Sequence, residues 1–185
     1  MNLQIRHITS SFDDLELLKK LNEEAFPKDE RLEVDRLIQL ADENLVEFVA
    51  VYDDEEFIGF YSLTVYHPSV YLFFIAILPE KRSKGYGTKT LQLLNQIYSK
   101  DQIVLDLEII DETADNIKQR KSRKQFYLRN GYQESKYYMT YSNMTFELLC
   151  NSLPFQKQDF INLLETIKSP HFQPIVYLKE RGNIL

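Results

Sequence analysis

The chain has no tryptophan, one cysteine (Cys150) and only five glycines in 185 residues. A single cysteine excludes an internal disulfide framework and any cysteine-rich metal site. The three histidines, His7, His67 and His171, are scattered, and the H-E-x-x-H pattern of helical zinc sites does not occur. They read as surface or turn residues, and no metal is expected. Long hydrophobic runs are missing as well. The longest, Val70 to Leu78, falls short of the roughly 20 residues that a membrane-spanning helix needs. The opening MNLQIRHITSSFDDLELL has no apolar run behind a basic end, so no secretory leader is read there. Nor is positive charge in excess: 22 Lys and Arg face 28 Asp and Glu, a net charge of −6, which argues against a general nucleic-acid binder. The expectation is a cytoplasmic protein with neither nucleic acid nor membrane as partner.

Apolar and aromatic residues are present in quantity. Hydrophobic residues make up 44% of the chain and charged ones 27%, with 12 Tyr and 12 Phe, so a packed core is expected and disorder is not. No internal repeat, low-complexity tract or linker interrupts the chain. One domain is expected over residues 1–150, with a C-terminal helix and tail, 151–185, packing on it.

The order of elements is mixed α/β. Leu3–Thr9 alternates apolar and polar residues and predicts a strand. Leu15, Leu18, Leu21 and Ala25 line one face of a helix ended by Pro27, and a second helix follows over 31–43. Two β-rich runs, 45–54 and 56–66, meet at an acidic turn around Asp53–Glu56 and predict a hairpin. Ser69–Leu78 is apolar on both faces, as a central strand is. After a helix through Leu91, Leu94 and Ile97 come a strand over 102–110, a basic helix stopped by Gly131, strands over 135–142 and 144–150, and a helix over 157–168. No element is read from Pro174 to Leu185.

The segment ILPEKRSKGYGTKTL, Ile77 to Leu91, carries the first chemical signal. A strand feeding a helix through a glycine turn points several backbone N–H groups at one spot, and the helix dipole adds positive charge there. Gly85 and Gly87 let the backbone come close to oxygen atoms. Lys81, Arg82, Lys84 and Lys89 supply full charges. Thr90 stands where the dinucleotide fingerprint needs its third glycine, and the phosphate-loop pattern is absent. These residues alone allow either a phosphate site or an ordinary connection.

This segment resembles the acetyl-CoA motif of the GNAT superfamily of N-acetyltransferases: a strand, a proline, then R/Q-x-x-G-x-G/A opening a helix. Arg82, Gly85 and Gly87 fill its defined positions and Pro79 its usual proline. FYLRNGY, Phe126 to Tyr132, is similar to the family's F-Y-x-x-x-G-F segment on a later helix. The order of elements over roughly residues 3–150 matches too. The resemblance implies a GNAT fold: a central mixed, mostly antiparallel sheet of about seven strands flanked by helices, splayed between the fourth and fifth. It implies acetyl-CoA as acetyl donor. The backbone of Ile75 and Ile77 would meet the pantetheine arm, and Arg82, Lys84, Gly85, Tyr86, Gly87 and Thr88 would hold the pyrophosphate. The acceptor would be a primary amine of a small molecule or peptide, and the chain a monomer or homodimer. A non-catalytic acyl-CoA-binding or regulatory module with the same fold is the alternative.

Two catalytic candidates follow. The resemblance gives Tyr127 the role of proton donor to the departing sulfur; otherwise it packs beneath the sheet as Phe126 does. Asp106 and Glu108 share one face of their strand by alternation, and two carboxylates on a buried-type strand are uncommon unless used or paired. Glu108 resembles a glutamate found there in bacterial relatives and is the candidate base, with a salt bridge to the basic helix as the other reading. Several positions depart from the family. Tyr71 stands where an acidic residue is frequent, and Arg120 replaces an asparagine and is a candidate for the cofactor's phosphates. Cys150 lies far along the chain, so direct transfer is expected. Asp29, Glu30 and Glu33 would favour a cationic acceptor such as a polyamine or aminoglycoside, though acids at a helix start also serve capping. Tyr61, Tyr66, Phe73 and Tyr138 are candidates to line its pocket.

Overall fold

The computed structural model describes residues 2–28 and 30–179. Among them, the strands are β1 (Leu3–His7), β2 (Glu47–Asp53), β3 (Glu56–Tyr66), β4 (Ser69–Ile77), β5 (Gln102–Glu108), β6 (Gln133–Tyr141), β7 (Met144–Cys150) and β8 (Ile175–Leu178). The α-helices are α1 (Leu15–Ala25), α2 (Val34–Asp42), α3 (Tyr86–Ile97), α4 (Ile117–Arg129) and α5 (Lys157–Ile167). The strands form one sheet in the order β1-β2-β3-β4-β5-β7-β6-β8. Neighbouring strands pair antiparallel at β1–β2, β2–β3, β5–β7, β6–β7 and β6–β8, whereas β4 and β5 run parallel. The β4–β5 ladder runs from Ser69–Gln102 to Tyr71–Val104 and stops there, the expected break between the fourth and fifth strands.

Eight strands stand where about seven were expected. The added one, β8, lies in the tail for which no element was read, and it pairs antiparallel with β6 from Tyr137–Leu178 to Thr140–Ile175. Its four residues are too short a run to show alternation. They still have strand-type chemistry, β-branched and aromatic, directly behind Pro174.

The chain divides into two compact units. One comprises the described residues up to Val65 together with Leu72–Ser99; the other comprises Tyr66–Tyr71 with the described residues from Lys100 onward. The core of the first unit is built from Leu18 and Leu21 of α1, Val34 and Leu37 of α2, and Phe48, Ala50, Phe57, Phe60, Ala76 and Leu78 of the strands and their ends. Each fully buried leucine there stabilises by about 1.5–3 kcal/mol relative to exposure. Asn22, the polar residue on the buried face of α1, is accommodated because its Nδ2 donates to the Leu32 carbonyl at 2.9 Å. Gly59 of β3 lies against the β4 backbone so closely that a Cβ would sit 2.1 Å from the Ala76 carbonyl oxygen. That contact fixes the end of β4 from which the glycine turn departs.

In the second unit, β5 buries Ile103, Val104, Leu105 and Leu107, and α5 contributes Phe160, Leu163 and Leu164. Phe160 meets the Tyr71 ring edge-on at 5.4 Å. The β6–β7 hairpin closes through Ser142 and Asn143, both left-handed (φ 50° and 60°), the conformation that a two-residue type I′ turn requires.

Candidate active site

The glycine turn lies in the first unit. After β4, the buried Leu78 donates its N–H to the Ile58 carbonyl at 2.9 Å, and Pro79–Lys81 form one 3₁₀ turn. Ser83 (φ 60°) and Gly85 (φ 87°) are both left-handed, and Gly85 is the N-cap of α3. Glycine suits this position because side-chain-bearing residues reach that region only with strain. No side chain caps the helix, and the Lys89 N–H bonds the Gly85 carbonyl at 3.0 Å. The preceding amides, Tyr86 to Thr88, have no acceptor within the helix. They are therefore donors at the positive end of a dipole, suited to an anion.

The side chains of the turn divide into fasteners and free charges. Arg82 Nε donates to the Ile77 carbonyl at 2.9 Å, and its guanidinium pairs with Glu24 at 3.3 Å. Lys81 pairs with Glu56. The Tyr86 hydroxyl donates to Asp53 at 2.8 Å; this bond and one from the Asn2 N–H hold the Asp53 carboxyl below its usual range, the Asn2 bond being the larger cause. Lys84 and Lys89 are exposed, and no ion pair among the described residues engages them. Arg82, Lys84, Gly85, Tyr86, Gly87 and Thr88 thus share one turn, joined to Ile77 through Arg82. Ile75, half-buried, lies two residues further back on β4. A pyrophosphate fits this set: free amides, exposed lysines and a glycine cap.

Glu108 and Tyr127 lie in the second unit. Glu108 is nearly buried, and both its oxygens are engaged. Oε1 accepts from Asn116 at 3.1 Å and pairs with Arg120 at 2.9 Å, and Oε2 accepts from Arg123 at 2.9 Å. This is the salt bridge to the following basic helix that the sequence left open. Arg120, expected toward phosphates, turns instead to Glu108, to Asn116 Oδ1 at 2.6 Å and to the Ile109 carbonyl at 3.0 Å. Three oxygens, one anionic and two neutral, hold that guanidinium between the end of β5 and the start of α4.

Tyr127 is 7% exposed and packs edge-on against Phe126 and Tyr132, with ring centroids 5.2 Å and 5.8 Å away. Among the described residues, no hydrogen-bond partner meets its hydroxyl. Burial pushes that phenol up to about 12; the Arg123 charge opposes the shift and the Asp106 charge adds to it. The hydroxyl therefore keeps its proton at neutral pH. Arg123 links the two candidates, since it pairs with Glu108 and its charge acts on Tyr127.

Asp106 has a different environment from Glu108. Oδ1 accepts from the Tyr71 hydroxyl at 2.7 Å and Oδ2 from the Tyr141 hydroxyl at 3.0 Å. Burial raises its carboxyl above the usual range, with both tyrosines pulling the other way. The sequence placed Asp106 beside Glu108 but missed both tyrosines, because nothing local pairs residue 71 or 141 with residue 106. Of the acceptor candidates, Tyr61 is 1% exposed and belongs to the core. Tyr66 is exposed, and Tyr138 stacks on Tyr177 at 6.1 Å. Glu33, at the N-cap of α2, makes no capping bond and pairs with Arg31 at 3.3 Å. Asp29 lies outside the described residues.

Comparison with known proteins bears on the fold. Residues 44–134 match the model of the GNAT acetyltransferase domain. A solved Bacteroides thetaiotaomicron protein assigned to the GNAT family is 25% identical, with a TM-score of 0.69 over 86% of this chain and 93% of that one. An N-acetyltransferase from Thermoplasma acidophilum, solved with coenzyme A, is 18% identical with a TM-score of 0.54, covering 80% of this chain and 98% of its own. A spermidine N-acetyltransferase from Vibrio cholerae is 18% identical with a TM-score of 0.56, covering 84% and 98%. A comparison with curated protein sequences gives no significant match. The fold is that of GNAT acetyltransferases. The GNAT acetyltransferase domain match lies over residues 44–134. Among the described residues, no helix is long and apolar enough to cross a membrane.

Proposed function

We propose that this protein transfers an acetyl group from acetyl-CoA to a primary amine of a small molecule or peptide. The observation that carries the reading is the start of α3: a left-handed glycine cap, a first turn of amides without helical acceptors, and exposed lysines beside it. Lys84 and the amides of Gly85 to Thr88 hold the pyrophosphate, and the backbone of Ile75 and Ile77 meets the pantetheine arm. Arg82 supports this grip by fixing the end of β4 to the turn. When bound, acetyl-CoA supplies an acyl carbon activated by sulfur: the amine nitrogen forms the C–N bond, and the C–S bond breaks with its electron pair on sulfur. Tyr127 keeps a phenolic proton available for that sulfur. Glu108 is a positioning residue in this reading, since its oxygens are spent on Asn116, Arg120 and Arg123.

Spermidine, acted on by the Vibrio cholerae relative, and aminoglycosides, acted on by another structural neighbour, are the acceptor classes to try first. The transferase domain is taken as residues 1–150 with 151–185 added to it, and the compartment as the cytoplasm. A non-catalytic acyl-CoA-binding module would keep the turn but has no need of the unengaged Tyr127 hydroxyl. Calorimetric titration tests the reading: acetyl-CoA binds saturably, and 3′,5′-ADP shares part of the site. No binding up to millimolar acetyl-CoA overturns it.

A further inference from the structure

We propose that Asp106 takes the proton from the incoming amine, and that the hydroxyls of Tyr71 and Tyr141 position it for that step. The inference rests on the transferase reading above and adds to it the base that the sequence sought in Glu108.

The two carboxylates of β5 share a face but not a chemistry. Glu108 is neutralised by two guanidinium groups and an amide. Asp106 meets two neutral donors, one on each oxygen, at 2.7 Å and 3.0 Å, and no cation pairs with it among the described residues. A carboxylate offers about four lone-pair sites, so Asp106 keeps acceptor capacity after both tyrosines have bonded. It is half-buried. A charge withdrawn from water and left without a cation is costly, and an arriving ammonium group supplies the missing partner.

The tyrosines are held firmly enough to aim it. Tyr71 is 1% exposed and braced by Phe160, and its hydroxyl and that of Tyr141 share the one carboxylate. Tyr141 stacks on Phe146 at 4.5 Å and 10°, with Phe172 edge-on at 5.1 Å. An organic cation finds aromatic faces as well as a carboxylate there. The groups facing Asp106 are Tyr71 of β4, Tyr141 of β6 and Tyr127 of α4, whose phenol feels its charge. Glu108 of β5 and Arg123 of α4 are committed to each other, and the residue opposite Asp106 on β7 is the apolar Leu148. Burial holds the Asp106 carboxyl above the usual range, nearer the protons it has to receive. In the step, one N–H bond of the R–NH₃⁺ group breaks, its electron pair stays on nitrogen, and the proton bonds to an Asp106 carboxylate oxygen, from which it passes to water.

The test combines carbon-13 NMR of aspartate-labelled full-length protein with kinetics on spermidine as the probe amine. One aspartate carboxyl should titrate above the others, vanish in Asp106→Asn and move to higher pH in Tyr141→Phe, which loses a donor to the charged form. Asp106→Asn should lower kcat about 100-fold while acetyl-CoA affinity, read by calorimetry, stays within about twofold. The acidic limb of kcat/KM should move with the NMR titration in Tyr141→Phe. An ordinary Asp106 titration, or full kcat in a folded Asp106→Asn, overturns the role alone. A wild type that binds no acetyl-CoA overturns the transferase reading and takes this role with it.

Discussion

Arg82 Nε donates to the carbonyl of Ile77 at 2.9 Å, so the residue that opens the glycine turn is tied to the last residue of β4. Its other end reaches Glu24 of α1 at 3.3 Å. The motif arginine therefore acts on the turn's shape in the protein as it stands. Arg82→Ala removes a charge-assisted bond of about 1.5–3 kcal/mol, discounted because the side chain is half exposed. Acetyl-CoA affinity should fall about tenfold, with a small change in melting temperature. Arg82→Lys keeps the charge but lacks the fork that serves both partners, and should recover only part of the affinity. Wild-type affinity in both variants would remove Arg82 from the site.

Gly85 tests the turn from the backbone side. A Cβ there meets nothing within 4 Å, so the cost of Gly85→Ala is conformational, set by φ 87°. About 1–2 kcal/mol of stability should be lost. Gly85→Asn should lose less, because asparagine tolerates the left-handed region. Chemical denaturation that ranks the alanine variant at or above the asparagine one would contradict this account. Gly87→Trp, with its bulk at the first-turn amides, should abolish acetyl-CoA binding in a protein that still folds.

Glu108 separates anchor from base. In Glu108→Gln the guanidinium groups of Arg120 and Arg123 lose their counter-charge, and breaking a largely buried pair costs about 3 kcal/mol. The expected result is a protein that melts earlier but keeps most of its kcat at low temperature. If kcat collapses while the melting temperature holds, Glu108 is the base and Asp106 is not.

Tyr127→Phe removes the hydroxyl and leaves the ring that packs on Phe126 and Tyr132. Turnover should fall about 10- to 100-fold, with acetyl-CoA affinity unchanged. Because burial holds the phenol at about 12, its loss should not reshape the pH profile near neutrality. A turnover equal to wild type would take Tyr127 out of the mechanism.

Local chemistry made much of this legible in sequence. The glycine turn announces itself through Pro79, Arg82, Gly85 and Gly87, which act within a dozen residues of one another. The strand through Ser69–Ile77 is visible because it is apolar on both faces, and Gln102–Glu108 because Leu105 and Leu107 alternate with Asp106 and Glu108. What stayed hidden depends on pairing across distance. Whether Glu108 faces a substrate or two arginines is set by how α4 returns over β5, and alternation says only that it shares a face with Asp106. The Tyr71–Asp106–Tyr141 set requires the registers of β4 with β5 and of β6 with β7. β8 was missed because four residues carry no period, and its register with β6, from Tyr137–Leu178 to Thr140–Ile175, joins residues far apart in the chain.

The half-buried Asp106 also makes a prediction about stability that needs no substrate. Its carboxyl titrates above the usual range in the folded protein, with burial as the first cause, whereas in the unfolded chain it titrates normally. The native state therefore holds this proton more firmly than the unfolded state does. Its contribution to stability is fully present below the unfolded value and is lost as pH rises through the raised native value. Asp106→Asn has no proton to lose there and keeps a side chain of the same shape between Tyr71 and Tyr141. The melting-temperature difference, variant minus wild type, should grow as pH climbs from the ordinary carboxylate range through the raised one, then level off. A difference for Asp106→Asn that stays flat or shrinks with rising pH would mean that the carboxylate is comfortably charged where it sits, and the tyrosine pair would then be a structural brace.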